Sequence, residues 1–222
     1  MPTPLPAVEI ETAPNPQHAV IWLHGLGADG HDFEPIVPEL IDRSWAALRF
    51  VFPHAPVRPV TINGGMPMRA WYDITGMEIA QRQDEAGMRT SIAQLEELIA
   101  REQARGVAAQ NILLAGFSQG GAIVLAGGLR HAATLGGIIA LSTYLPLAEK
   151  TAGELSAANK AIPIFQAHGT FDPIVPLPLG KMSCDRLVQL GYQVEWHTYP
   201  MAHQVCAEEI ADLRHFIGAR LR

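Results

Sequence analysis

The strongest constraint on this chain is an alternation. Short, β-rich runs at residues 19–23, 48–52, 111–115, 137–141, 162–167 and 193–199 are separated by stretches that repeat apolar residues at helical spacing. Most of the runs are continuously apolar, as expected for strands covered on both faces. Helical patterns fall at 34–41, 84–105, 120–129, 179–190 and 204–219, and in the second of them Ile92, Leu95, Leu98 and Ile99 form one core-facing stripe. Such alternation predicts an α/β fold, with a mostly parallel central sheet, helices on both faces and right-handed crossovers. A chain of 222 residues, 48% hydrophobic and 17% charged, can fill one core. We therefore expect a single domain over residues 1–222, with residues 1–16 as an irregular N-terminal segment.

Charge and cysteine usage narrow the function. A formal net charge of −6, with no Lys/Arg run, argues against nucleic acid as a partner, because neutralising phosphates needs a basic stripe. No apolar stretch approaches the ~18 residues of a membrane span, and the first residues carry neither a basic start nor an apolar signal region. Cys184 and Cys206 are too few for a disulfide framework and lack zinc-ligand spacing, which leaves them as buried thiols. A soluble cytoplasmic protein without metal or cofactor is expected.

Two glycine motifs compete for the functional site. Gly25-Leu26-Gly27-Ala28-Asp29-Gly30 formally matches the dinucleotide-binding GxGxxG, between a strand and a helix. That reading also needs an acid about 20 residues on to hold a ribose. The corresponding run, Leu48-Arg49-Phe50-Val51-Phe52-Pro53-His54-Ala55, contains none. The second motif, Gly116-Phe117-Ser118-Gln119-Gly120, is GxSxG between an apolar strand and a Gly/Ala-rich helix. This is the context of a nucleophile elbow, whose tight turn demands small residues two before and two after the serine. It points to the α/β-hydrolase fold.

A serine is a poor nucleophile unless a base takes its proton and an acid orients that base. In α/β-hydrolases the order is Ser, then Asp/Glu, then His. His215 lies inside a helical pattern and His197 inside a strand. His168 ends a strand, but the acids before it, Glu149 and Glu154, fall in an irregular connection. His203 follows the sixth strand directly and precedes a helix. Among the intervening acids, Asp185 is mid-helix and Glu195 mid-strand, whereas Asp172 follows the fifth strand in a loop stiffened by its proline neighbours Pro173 and Pro176. The catalytic set is thus Ser118, Asp172 and His203. An oxyanion hole needs two backbone amides, one from Gln119 and the other from the first glycine motif at Leu26. His24 then serves as a structural hydrogen-bonder.

The segments WLHGLGADG, APVRPVTINGGMP, WYD, GFSQGGA, ALSTYLP, HGTFDPIVP and YPMAHQV are spread along nearly the whole chain. Together they resemble the phospholipase/carboxylesterase family of small α/β-hydrolases, which includes bacterial carboxylesterases and acyl-protein thioesterases. The resemblance implies the same triad and oxyanion donors, and an acyl-binding region lined by Trp71, Leu145 and Val175. Two departures stand out. Ala202 precedes His203 where the family usually has glycine, and Met66-Pro67-Met68-Arg69-Ala70-Trp71-Tyr72-Asp73 replaces the usual MPSWYD. The connection over residues 144–161 is too short for a separate lid domain, so any cover must come from it or from the Pro/Gly/Met-rich stretch 53–79. The expected activity is that of a carboxylesterase on short- to medium-chain, small-molecule esters at an open site, without lipase-like interfacial activation. The alternative is an acyl-protein thioesterase or lysophospholipase acting on longer chains, and a non-catalytic binding protein of the same fold is the remote one. An apolar rim around such a site would also accommodate a homodimer.

Overall fold

A computed structural model describes residues 5–76 and 83–221. Its strands are β1 (Ala7–Glu11), β2 (His18–Leu23), β3 (Leu48–Pro53), β4 (Val57–Val60), β5 (Met66–Arg69), β6 (Ile112–Phe117), β7 (Gly137–Leu141), β8 (Ile164–Gly169) and β9 (Val194–Tyr199). Its helices are α1 (Val37–Leu40), α2 (Glu85–Ala104), α3 (Gln119–Arg130), α4 (Ala148–Glu154), α5 (Leu177–Gln189) and α6 (Ala207–Gly218). Seven strands form one sheet in the order β1-β3-β2-β6-β7-β8-β9, while β4 and β5 pair as a separate hairpin. Every neighbouring pair in the large sheet is parallel except β1 with β3.

Side-chain alternation along the strands splits the core in two. In β2, Ala19, Ile21 and Leu23 point to one face, where α2 contributes Leu95 and Ile99 and α3 contributes Ile123. Val20 and Trp22 point to the other, against Leu40 of α1 and Leu213 and Phe216 of α6. Helices on both faces explain why β2, β3, β6, β7 and β8 are buried at every position.

Four segments depart from the sequence expectation. Within residues 1–16, Ala7–Glu11 is a strand rather than irregular. Its Val8 and Ile10 pack on the core, while Glu9 and Glu11 pair with arginines, so an edge strand is stabilised by ions as well as by apolar contact. The stretch 53–79 holds the β4–β5 hairpin, with residues 77–79 outside the described residues. The connection 144–161 contains α4, which places Glu149 and Glu154 on a helix, with Glu154 bound to Arg89 and Arg130. The pattern at 34–41 yields only a 3-10 turn and one α-helical turn, because Pro35 and Pro38 each remove a donor.

The N-terminal edge is fastened by a buried ion cluster. Glu102 of α2 is fully buried and meets Arg49 Nη1 at 2.7 Å and Arg105 Nη1 at 3.0 Å, and Arg49 Nε reaches Glu11 at 2.9 Å. Removing one partner of a buried pair strands the other charge. Glu102→Gln is expected to lower unfolding free energy by about 3 kcal/mol, measured by urea denaturation. A loss below about 0.5 kcal/mol would mean that the cluster behaves like exposed surface pairs.

Candidate active site

The sharp turn between β6 and α3 places Ser118 at φ 53°, a left-handed conformation that costs energy for a residue with a side chain. The glycines around it are required by contact. A Cβ on Gly116 would lie 2.5 Å from the Gly120 carbonyl carbon and oxygen, and one on Gly120 would fall on the Leu23 carbonyl oxygen. The turn is tied to the sheet by Ser118 N–H to Leu141 O at 2.8 Å and by the Thr143 hydroxyl to Ser118 O at 2.6 Å. Ser118 itself is half-buried.

The expected acid and base meet beside this turn. His203 Nδ1 lies 2.7 Å from Asp172 Oδ2, and the His203 ring packs on Phe117, the residue before Ser118, with centroids 4.7 Å apart. The Asp172 side chain is fully buried, and its Oδ1 accepts from the amides of Ile174 (2.8 Å) and Val175 (2.9 Å). Because an ionised carboxylate only accepts, the His203 proton belongs on Nδ1, leaving Nε2 free to act as a base. Asp172 and His203 ride on two loops zipped together by Thr170 N–H to Tyr199 O and Phe171 N–H to Met201 O. Gly169 permits the crossing, since a Cβ there would strike the Met201 and Ala202 carbonyls. Ala202 is exposed and lies outside the positive-φ residues, so alanine fits where the family pattern predicts glycine. His168, set aside in the sequence, is buried below Asp172. Its Nε2 donates to Val175 O at 2.8 Å and stands 3.6 Å from Asp172 Oδ2, closing the acid loop from beneath.

The first glycine motif packs against the elbow. A Cβ on Gly25 would lie 3.5 Å from Ser118 Cβ, Gly27 has φ 79°, and Leu26 between them is half-buried. His24 fixes this loop as a neutral ring, with Nδ1 2.7 Å from Gly25 O and Nε2 accepting the Ala55 amide at 3.1 Å. Burial pushes its pKa down to about 4. Trp71, Leu145 and Val175, expected at the acyl region, share one core cluster and are 1%, 4% and 3% exposed. The large apolar side chains that are exposed near the acid are Phe171 (70%) and Ile174 (57%), which the sequence motifs did not single out. Their position on either side of Asp172-Pro173 was the available signal.

Comparison with known proteins supplies the family. The phospholipase/carboxylesterase profile matches residues 5–221. The chain belongs to the phospholipase/carboxylesterase family. Acyl-protein thioesterase 1 of Neurospora crassa is 42% identical across 99% of this chain and 91% of its own length. Among solved structures, SOBER1 of Arabidopsis thaliana superposes with a TM-score of 0.87 at 31% identity, over 92% of this chain and 99% of the SOBER1 chain. Acyl-protein thioesterase 2 of Zea mays does so with 0.84 at 26% identity, over 97% and 99%. Family membership makes the chain a carboxylic ester hydrolase with an α/β-hydrolase fold. No helix among the described residues is long and apolar enough to cross a membrane.

His24 gives the site an acid limit. The folded protein needs the imidazole neutral, whereas the unfolded chain takes up a proton below about 6.5. Stability is therefore intact above that pH and falls as pH drops from about 6.5 toward about 4, with a full loss from this group of about 3 kcal/mol. His18, His54 and His168, also lowered chiefly by burial, add loss in the same direction. Denaturant melts at pH 7 and pH 4.5 should show a smaller difference in His24→Gln than in the wild type.

Proposed function

We propose that the chain is a serine hydrolase that removes acyl groups through an acyl-enzyme on Ser118, with thioesters of long acyl chains on proteins as its preferred substrates. The observation that carries the catalytic part is the 2.7 Å Asp172–His203 pair seated beside the strained Ser118 turn. Ser118 Oγ attacks the carbonyl carbon while His203 Nε2 takes its proton, and Asp172 stabilises the resulting imidazolium. The carbonyl oxygen, now an anion, is held by the Leu26 and Gln119 amides. The thiol or alcohol leaves with the proton from His203. Water, activated by the same histidine, then releases the acid and restores Ser118.

Two observations favour the thioester over the short-chain ester that the sequence alone suggested. Relatives that match nearly end to end at 36–42% identity are named acyl-protein thioesterases. Large apolar side chains are also exposed on the segments that flank the site. Phe171 and Ile174 flank Asp172, and Val57 and Met66 stand exposed on the β4–β5 hairpin, surface that would suit a long acyl chain. The carboxylesterase reading stays as the second, supported by the likeness to esterase PE8, which superposes with a TM-score of 0.83 at 25% identity.

Turnover of a palmitoylated cysteine peptide and of p-nitrophenyl butyrate, measured side by side, separates the two. We expect the higher kcat/KM on the peptide, and a loss of about 10³-fold or more on both in Ser118→Ala. Dominant butyrate turnover would return the assignment to carboxylesterase. Unchanged activity in Ser118→Ala would remove the serine from the chemistry.

A further inference from the structure

We infer that Trp71 is a positioning residue for the oxyanion hole, which it braces by joining the two backbone segments that supply the donors. The inference rests on the hydrolase reading above. The indole Nε1–H of Trp71 donates to His24 O at 2.9 Å, which holds the strand end that carries the Leu26 loop. Its backbone N–H donates to Gln119 Oε1 at 2.8 Å, the side chain of the other donor residue. Gln119 completes the clasp by donating from Nε2 to Tyr72 O at 2.7 Å. Nearby in the same pair of segments, Gly27 N–H donates to Arg69 O at 2.9 Å, so the Leu26 loop is gripped from both sides. The remaining polar group of Trp71, its carbonyl, accepts from the Ser91 hydroxyl of α2.

The reason for such a brace is geometric. An oxyanion hole works only when both amides already point at the place where charge develops. Leu26 lies in a loop beside Gly27, which takes a positive φ of 79°. Gln119 lies at the start of a helix. These segments come from different parts of the chain, and a shift of about 1 Å between them would cost on the order of 10²-fold in rate. Trp71 is 1% exposed, and all three of its hydrogen-bonding groups are satisfied by neighbouring segments, so it can set their spacing. A residue shaped to contact an acyl chain would instead leave part of its ring uncovered.

The test compares Trp71→Phe, which keeps an aromatic ring but loses the indole donor, with Gln119→Met, which loses both side-chain bonds and keeps the Gln119 amide. Both are assayed for ester turnover and for inhibition by an alkyl trifluoromethyl ketone, whose adduct with Ser118 places an oxyanion in the hole. The expected result is a tenfold or greater slowing of turnover at saturating substrate, with KM within about twofold and a matching loss of ketone affinity, at unchanged pH dependence. A rise in KM with turnover retained would overturn the inference and return Trp71 to the acyl wall. So would full ketone affinity in a folded variant. Should Trp71→Phe fail to fold, Gln119→Met decides alone. If the ketone does not inhibit the wild type and Ser118→Ala is fully active, the hydrolase reading itself has failed, an outcome distinct from either of these.

Discussion

The steric constraint on which the rest depends is the contact between the elbow and the end of β2. There is no room for a side chain at Gly120, because the Leu23 carbonyl occupies that place. There is none at Gly121 either, where a Cβ would lie 2.7 Å from Thr143 Cγ2 of the connection after β7. The nucleophile turn is therefore pressed between the strand end on one side, which carries His24 to Gly27, and Ser142–Thr143 on the other. That pressure keeps Ser118 at φ 53° against its own preference, a cost carried by the packed β6–α3 unit. The same backbone contact brings the two amide-bearing segments side by side, and a bulkier residue at Gly120 would separate them.

Around this fixed point the histidines that brace the loops are buried and neutral. His24 and His168 each use one ring nitrogen to hold a loop carbonyl, and burial lowers the pKa of both. Neutral rings suit that task, because an unpaired buried charge would cost more than the hydrogen bond returns. The buried carboxylate at the site, Asp172, is matched on both oxygens, by His203 on one and by the Ile174 and Val175 amides on the other. Glu102, buried with its arginines, meets Arg49 at the start of β3, the opposite end of the strands from the catalytic loops. Its role in holding the sheet edge is thereby kept apart from the Asp172–His203 pair.

The parts of the molecule that were legible in the sequence are those fixed by local pattern. Five parallel strands were marked by continuous apolar runs, and the elbow by Gly116, Ser118 and Gly120. The Asp172–His203 pairing came from chain order. What was not legible depends on distant partners. Ala7–Glu11 is short, proline-flanked and rich in glutamate, and becomes a strand through its pairing with β3, with Val8 and Ile10 on the core and Arg49, Arg101 and Arg105 against its glutamates. The β4–β5 hairpin contains Pro59 and Pro67 facing each other, which read as breakers and are tolerated because the hairpin is a two-stranded edge. Trp71 sits in a motif that suggests substrate contact. Only the three-dimensional partners of its two N–H groups, His24 O and Gln119 Oε1, assign it to the frame.

Those partners also explain how a lengthened segment can coexist with a site that tolerates little displacement. Met66, paired with Val60 beside the turn, is 62% exposed, and a change of side chain there alters apolar surface without disturbing the core. The base of the hairpin is different in kind. Between Arg69 and Tyr72 the backbone is spent on Gly27, Gln119 and Ser91, all within or against the buried framework. The Met66–Asp73 run, which departs from the family pattern expected from the sequence, runs from exposed Met66 beside the turn to buried Ala70 and Trp71, and leaves the clasp in place. Exposed apolar surface at Met66 and the hydrogen-bonded backbone of Arg69–Tyr72 thus share one short segment, in which a side-chain change at the first leaves the second held.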